Sequence, residues 1–166
     1  MNIRLLTKED ADIYWELRLR ALRDHPESFV LSYEEECEKE VSDIRKQFPT
    51  FEDEFIMGGF LDDKLVGIVG YKKQKPLKVQ HKGDIWGMYV APEARGMGLG
   101  KSLLKAVIEQ ASKSTELLQI YLVVAANNQG AKALYTALGF NSYGFEKQAL
   151  HVEDKFIDEE HMVLYM

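Results

Sequence analysis

The first third of the chain shows helical periodicity behind one short strand. Ile3-Arg4-Leu5 predicts the strand, and Thr7 followed by Asp10 has the spacing of a capping box that begins a helix. His25-Pro26 ends this helix, and a second, more acidic helix is predicted over residues 33–48. The apolar residues of the first helix that recur at helical spacing, and should face a core, are Tyr14, Leu17, Ala21 and Leu22.

The rest of the chain alternates strand-like runs with two further helices. Strands are predicted over residues 55–61, 65–71, 84–90, 117–124, 140–150 and 160–166, and helices over residues 98–112 and from Asn127 or Asn128 to Gly139. Asp62-Asp63 predicts a hairpin between the first two of these strands. The nearly continuous apolar run at 117–124 is typical of a central strand covered on both faces. This mixed order predicts an α/β fold with a partly antiparallel sheet flanked by helices, in a single domain spanning residues 1–166.

Composition narrows the class of protein. With 46% apolar and 29% charged residues in a chain of 166, the sequence is typical of one globular domain. It shows no secretory signal and no apolar run of about 20 residues, so we expect a cytoplasmic protein with no membrane partner. Cys37 is the one cysteine and the four histidines lie far apart, which predicts no metal site. The net charge of −6 argues against a nucleic-acid partner.

The segment RGMGLGKS, from Arg95 to Ser102, is the clearest candidate for ligand binding. It misses the spacing of a P-loop by one residue and also that of the dinucleotide fingerprint. Its predicted position at the start of a helix offers free backbone N–H groups and a dipole that favours an anion. Glycines at 96, 98 and 100 would let a diphosphate approach the backbone, between the charges of Arg95 and Lys101. A tight glycine-rich turn without a ligand is the alternative.

Two segments together resemble the GNAT acetyltransferase superfamily. Arg95, Gly98 and Gly100 match that family's first signature, Gln/Arg-x-x-Gly-x-Gly/Ala. The segment NNQGAKALYTALGF, residues 127–140, is similar to its second signature, N-x-x-A-x-x-L-Y-x-x-x-G-F. The order of predicted elements extends the resemblance over nearly the whole chain, although it is weak in the first 80 or so residues. The resemblance implies the GNAT form of the mixed sheet.

The resemblance implies acetyl-CoA as cosubstrate, with no metal. Its diphosphate would lie on the amides of residues 96–101, and its pantetheine arm would pair with the backbone around residues 88–90, in the gap where the fourth and fifth strands separate. Asn128, which is also a candidate helix cap, would hydrogen-bond that arm. The residues assigned to the cosubstrate in this way are Met88, Tyr89, Val90, Arg95, Gly96, Met97, Gly98, Leu99, Gly100, Lys101 and Asn128.

The resemblance also implies the reaction, an N-acetyltransfer in which a primary amine attacks the thioester directly through a tetrahedral intermediate. A backbone N–H near Tyr89 or Val90 would stabilise the oxyanion. Tyr135 matches the family's general acid, although it could equally be a core aromatic residue. For the base, the sequence offers Asp84, with His81 close before it, and either could instead be a solvated residue at a strand end.

The acceptor amine is left open by the sequence. A small amine or polyamine, an amino acid, an antibiotic and a protein amino group all fit, the acyl group need not be strictly acetyl, and a homodimer is compatible with the resemblance. Residues 34–54 hold nine carboxylates against three cations, and in the resembled family this region covers the acceptor side. We therefore expect a cationic acceptor, unless these carboxylates form an ordinary solvated surface. A non-catalytic acyl-CoA sensor and a nucleotide-binding module are the alternative functions.

Overall fold

The computed structural model describes residues 1–49 and 53–166. Its strands are β1 (Asn2–Leu5), β2 (Glu54–Leu61), β3 (Lys64–Lys73), β4 (Lys82–Val90), β5 (Gln119–Ala125), β6 (Asn141–Val152) and β7 (Lys155–Tyr165). Its α-helices are α1 (Ala11–Asp24), α2 (Tyr33–Glu36), α3 (Val41–Lys46), α4 (Leu99–Ala111) and α5 (Gln129–Ala137). All seven strands form one sheet in the order β1-β2-β3-β4-β5-β7-β6, in which only the β4–β5 pair is parallel. The predicted mixed, partly antiparallel sheet flanked by helices is confirmed.

The start of α1 follows the predicted capping box. The Asp10 carboxylate accepts a hydrogen bond from the Thr7 backbone N–H, with 2.9 Å between N and Oδ2, and the helix continues from a short 3-10 turn at Lys8–Asp10. Tyr14 packs edge-on against Phe48, with 5.3 Å between the ring centroids. The four apolar residues predicted to face the core are all buried, which confirms the orientation of the helix.

The second helix is not continuous, and the prediction of one helix over residues 33–48 is wrong. A capping box in which Ser32 and Glu35 bond each other begins α2, which ends after Glu36. Glu40 then adopts an extended conformation, with φ −72° and ψ 135°, and this breaks the helical path before α3 begins. Val41, the first residue of α3, packs against the core.

Two pairs of neighbouring strands in the sheet are connected as hairpins, β2–β3 and β6–β7. Asp62 and Asp63 form the tight turn between β2 and β3 with φ of 47° and 62°, as the sequence predicts. The closing hairpin is longer than predicted, because β7 begins at Lys155 rather than at residue 160. The part of β7 before residue 160 has only two adjacent apolar residues, Phe156 and Ile157, yet it forms a ladder with β6, including the pair His151 and Phe156.

The prediction that β5 is covered on both faces is wrong. Ile120, Leu122 and Val124 are buried on one face. On the other face Val123 is 47% exposed and Tyr121 is half-buried. This side of the strand forms a wall of the cleft described below.

Candidate active site

Strands β4 and β5 separate after a short parallel contact, and a cleft opens between them. The paired residues are Lys82 with Gln119, Gly83 with Ile120, and Asp84 with Tyr121. Beyond them β4 bulges, since Gly87 and Met88 together stand opposite Val69 of β3. Gly87 has a φ of 62°, a left-handed conformation that glycine adopts without strain. The edge of β4 over residues 85–90 therefore has no strand partner on the β5 side.

The cleft has two connected halves. The loop half, of about 790 Å³, is lined by the glycine-rich loop and by the start of α5, including Asn128 and Tyr135. The hairpin half, of about 650 Å³, is lined by Arg18, Asp84 and the β6–β7 hairpin. The residues that line both halves are Ser28, Phe29, Ile85, Trp86, Gly87, Leu122 and Val123. The bulge of β4 therefore lies where the two halves meet.

The glycine-rich loop leads directly into α4. Gly98 precedes the helix with a φ of 79°, and the first intrahelical bond runs from the Ser102 N–H to the Gly98 carbonyl, at 3.1 Å between N and O. The N–H groups of Leu99, Gly100 and Lys101 thus have no acceptor within the helix. Around Gly98 there is open space, since an added Cβ would meet no atom within 4 Å. The site can therefore accept an anionic group against bare backbone.

Gly100 faces the gap between β4 and α5. A Cβ at this position would lie 3.4 Å from the Met88 Cε and 3.4 Å from the Leu134 Cδ2. Unlike Gly98, Gly100 has no positive φ, so a side chain here would occupy the cleft without straining the backbone. The first turn of α4 is therefore shaped to leave room for a ligand.

The Arg95 side chain is held by hydrogen bonds within the protein and does not point freely toward the open amides of the glycine-rich loop. Its Nε donates to the Val90 carbonyl oxygen at 2.9 Å, and its Nη2 donates to the His25 Nε2 at 2.9 Å. Of the other predicted loop residues, Lys101 is exposed and lines the cleft, whereas Met97 is 54% exposed and lies outside its lining. The side chain of Leu99 is buried, so this residue offers the cleft chiefly its backbone.

A salt bridge ties the segment before the loop to α1. Arg20 donates from both terminal nitrogens to the carboxylate of Glu93, at 2.7 and 2.9 Å. The hydrogen bond from Arg20 lowers the pKa of Glu93 to about 2, so the pair stays ionised at neutral pH. The glycine-rich loop therefore follows an anchored turn, Pro92–Ala94.

Asn128 and Tyr135 reach the loop half from α5. The Asn128 Oδ1 accepts a hydrogen bond from the Ala131 N–H at 3.1 Å, so the side chain caps the helix and its amide N–H groups stay available. Tyr135 packs edge-on against Phe140, with 6.0 Å between ring centroids. No residue in the described ranges hydrogen-bonds the Tyr135 hydroxyl, and burial raises its pKa to about 12. Tyr135 thus belongs both to the core and to the cleft wall.

The two residues considered as a base lie in different places. Asp84 lines the hairpin half, and the Gln74 side chain donates to its two oxygens at 3.1 and 3.3 Å. Burial raises the pKa of Asp84 above its ordinary value. His81 precedes β4 and does not line the cleft, and its carbonyl accepts a hydrogen bond from the Leu118 N–H at 2.8 Å.

We expect Asp84→Asn to raise the melting temperature at neutral pH. Because the pKa of Asp84 is higher in the folded protein than in the unfolded chain, this carboxyl favours folding below its unfolded pKa of about 3.9, and that contribution is lost as the pH rises through the folded pKa. The stabilisation by asparagine should therefore vanish in acid. Thermal unfolding across the pH range measures it, with Glu109→Gln on the exposed face of α4 as control. An equal gain at every pH would contradict the assigned cause.

The sequence patterns assign no site role to several residues of the hairpin half, among them Arg18, Tyr143, Glu159 and His161. The sequence does contain an indication that Arg18 is unusual, because it lies four positions after Tyr14 on the apolar face of α1, where a charged side chain is unexpected. Glu159 was missed because the start of β7 was placed too late. Burial and the neighbouring Glu146 raise the pKa of Glu159.

The acidic segment does not line the cleft in the described part of the chain. Several of its carboxylates are bound by neighbouring cations, in the pairs Glu36–Lys39, Asp43–Lys46, Asp53–Lys73 and Glu54–Lys72. Glu52 lies outside the described residues. The carboxylates that line the hairpin half are instead Asp84 and Glu159, so the expectation of a cationic acceptor has no support from the acidic segment.

Over residues 1–49 and 53–166, no group of three or more His, Cys, Asp or Glu side chains is arranged to hold a metal ion. Within the same ranges, no helix has both the length and the apolar character needed to cross a membrane. Cys37 is a free, exposed thiol.

Comparison with known proteins gives consistent matches. The family model of the acetyltransferase (GNAT) family matches residues 11–140. Mycothiol acetyltransferase of Actinosynnema mirum is 31% identical over 144 residues, which make up 84% of this chain and 43% of that protein. The chain thus spans less than half the length of this curated relative.

Solved structures share the fold over the full length. An acetyltransferase of the GNAT family from Streptococcus pneumoniae superimposes with a TM-score of 0.86 and 26% identity, and the match covers 99% of both chains. The structure of yncA from Salmonella typhimurium with its cofactor acetyl-CoA has a TM-score of 0.80 at 16% identity, over 99% of this chain and 92% of that one. The predicted GNAT form of the sheet is confirmed, and the protein belongs to the acetyltransferase (GNAT) family.

Proposed function

We propose that the protein is an acetyl-CoA-dependent N-acetyltransferase that acts on a primary amine. The observation that carries the proposal is the open first turn of α4, which faces the gap between β4 and β5 together with Tyr135. A turn that only connected a strand to a helix would not need open space around its amides next to a strand edge that lacks a partner. Family membership and the cofactor named for the Salmonella protein support the same ligand.

The residues present fit acetyl-CoA. The free amides of Leu99, Gly100 and Lys101 would hold its diphosphate, aided by the charge of Lys101. The unpaired edge of β4 around residues 88–90 would hydrogen-bond the pantetheine arm, with the free amide of Asn128 opposite. When bound, acetyl-CoA supplies an acetyl group as a thioester.

Tyr135 and the carboxylates of the hairpin half supply the proton transfers. Tyr135 holds a proton at its hydroxyl throughout the neutral range, because burial raises its pKa to about 12, and it would give this proton to the departing thiolate. On the other side of the bulge, Asp84 would accept the proton that the amine loses. The raised pKa of Asp84 makes its carboxylate a better base than an exposed one. The direct attack of the amine then needs no covalent enzyme intermediate.

We expect acetyl-CoA to raise the melting temperature and ATP to leave it unchanged. A ligand that binds only the folded state stabilises it by about 2.7 kcal/mol at 100 times its dissociation constant. Differential scanning fluorimetry with each ligand tests this. A shift with ATP and none with acetyl-CoA would favour a nucleotide-binding module. Binding without release of free CoA thiol, for any amine tested, would favour a non-catalytic sensor.

The acceptor is a separate question. The curated relatives are named mycothiol acetyltransferases, so compounds related to mycothiol belong in an acceptor panel. This chain covers less than half of their length, and its own cleft must therefore decide the class of amine. Release of CoA thiol with amino acids, polyamines, antibiotics and protein amino groups completes the panel.

A further inference from the structure

Arg18 is a buried cation that has no hydrogen-bond or ion-pair partner among the residues that the structure describes. Its side chain extends from α1 and the residue is only 7% exposed. No hydrogen bond or ion pair joins its guanidinium to any residue in the described ranges, and its Nη1 is fully buried and unpaired. The guanidinium packs on an aromatic face, with the Cζ 4.8 Å from the centroid of the Phe29 ring.

Such an arrangement is unfavourable in the absence of a ligand. A guanidinium presents five N–H donors in a planar fork, and burying them without acceptors costs folding free energy. Burial lowers the pKa of Arg18. Tyr14 and Glu36 lie close enough to oppose this shift electrostatically, but neither hydrogen-bonds the guanidinium, and the Glu36 carboxylate is bound by Lys39 at 2.6 Å. An oxyanion entering the cleft would supply the missing acceptors.

The position of the guanidinium limits what that oxyanion can be. The Arg18 Nη1 lies 3.5 Å from the point where a Cβ would stand on Gly87. Gly87 belongs to the bulge of β4 and lines both halves of the cleft. An anion held by Arg18 would therefore lie next to the bulge of β4, where the two halves of the cleft meet. An acceptor whose amine reaches a thioester in the loop half from there would carry its negative group and its amine only a few bonds apart.

The remaining charged groups of the hairpin half suit the amine end of the same molecule. Asp84 and Glu159 supply two carboxylates. Lys82 is the other cation of this half, and its Nζ lies over the ring of Tyr121, 5.3 Å from the centroid. His161 is paired with Glu146, with 3.2 Å between Nε2 and Oε2. One unpaired buried cation and two carboxylates in the same half of the cleft match a zwitterion.

We propose that Arg18 binds the carboxylate of an acceptor whose amine is on the adjacent carbon, so that the acceptor class is the free α-amino acid. This inference rests on the proposed acetyltransferase function for the chemistry, but the binding of a carboxylate at Arg18 can be measured without turnover.

The test compares each of the common free amino acids with its own carboxamide, which keeps the amine and removes the negative charge. Binding is measured from the thermal shift in the presence of CoA, which carries no acetyl group, and transfer is measured from CoA thiol release with acetyl-CoA. We expect at least one amino acid to bind about tenfold more tightly than its amide, the effect of one charged hydrogen-bonded pair.

Arg18→Met should bring that ratio close to one. Arg18→Lys keeps the charge without the planar fork and should give an intermediate ratio. Arg23→Met is the matched control, because Arg23 lies on the same helix with its side chain 61% exposed, and it should keep the full ratio. Removing an unpaired buried charge should leave the melting temperature of Arg18→Met no lower than that of the natural protein.

Different results would contradict the carboxylate site at Arg18 and the acetyltransferase function. If every amide binds as well as its amino acid, or if the preference survives in Arg18→Met, Arg18 does not bind a carboxylate. If the preference is present and is lost in Arg18→Met, but no amine is ever acetylated, the carboxylate site stands and the acetyltransferase function is wrong.

Discussion

Replacing Tyr135 with phenylalanine is expected to lower turnover by about 100-fold and to leave the affinity for acetyl-CoA unchanged. The substitution removes only the hydroxyl, while the ring keeps its packing against Phe140. Because no described residue hydrogen-bonds this hydroxyl, its loss leaves no protein group unpaired, and the fold should be retained. Steady-state rates and a binding titration on the same preparation separate the two quantities.

The matched control is Tyr71→Phe. Tyr71 is also buried, stacks on Phe55 with 5.0 Å between ring centroids, and has a pKa raised to about 12, but it lies outside the cleft. It should lose no turnover. Because the pKa of Tyr135 is also about 12, its ionisation should produce no loss of activity in the neutral or mildly alkaline range. A Tyr135→Phe protein with full activity would make this residue a core aromatic and nothing more.

Gly100→Val is expected to weaken acetyl-CoA binding at least tenfold, which is about 1.4 kcal/mol. The valine branches would enter the gap between Met88 and Leu134, where the Cβ alone already reaches contact distance of both. Gly98→Val should also weaken binding, but its φ of 79° would add backbone strain to the effect. Gly100 has no such strain and is therefore the sharper position, and calorimetric titration gives the change directly.

Glu109→Val provides the comparison for Gly100→Val. It places the same β-branched residue in α4, on the exposed face, and so reports the cost to the helix alone. Acetyl-CoA should bind this control as it binds the natural protein. If Gly100→Val folds and keeps full affinity, the first turn of α4 does not hold the ligand.

The helices and the central strands could be predicted where one physical signal dominates. The face of α1 follows from the spacing of Tyr14 and Ala21, and the β2–β3 turn follows from two adjacent aspartates. The break between α2 and α3 could not be predicted in this way, because the intrinsic conformational preference of Glu40 is too weak to indicate the end of a helix. The early start of β7 was missed for a related reason, since its pairing with β6 comes from backbone hydrogen bonds and not from an apolar pattern.

The two halves of the candidate site differ in the same respect. The loop half depends on glycine spacing and on helix capping, which are local, so short motifs are enough to predict Gly98 and Asn128 as candidates, and both line the cleft. The hairpin half is assembled from α1, β4 and β7, which are far apart in sequence. Local spacing places Arg18 on the apolar face of α1, but the cleft around it and the burial of Glu159 come from tertiary packing, which no local spacing encodes.

The short pairing between β4 and β5 divides the sheet into two parts, β1–β4 and β5–β7. In the sheet, three residue pairs connect these two parts. A cosubstrate that pairs with the free edge of β4 would fill the gap between them and, while bound, would act as a structural element of the protein. Because a ligand that binds only the folded state stabilises it, occupation of this edge would strengthen the connection between β1–β4 and β5–β7, and each departure of CoA would remove that stabilisation.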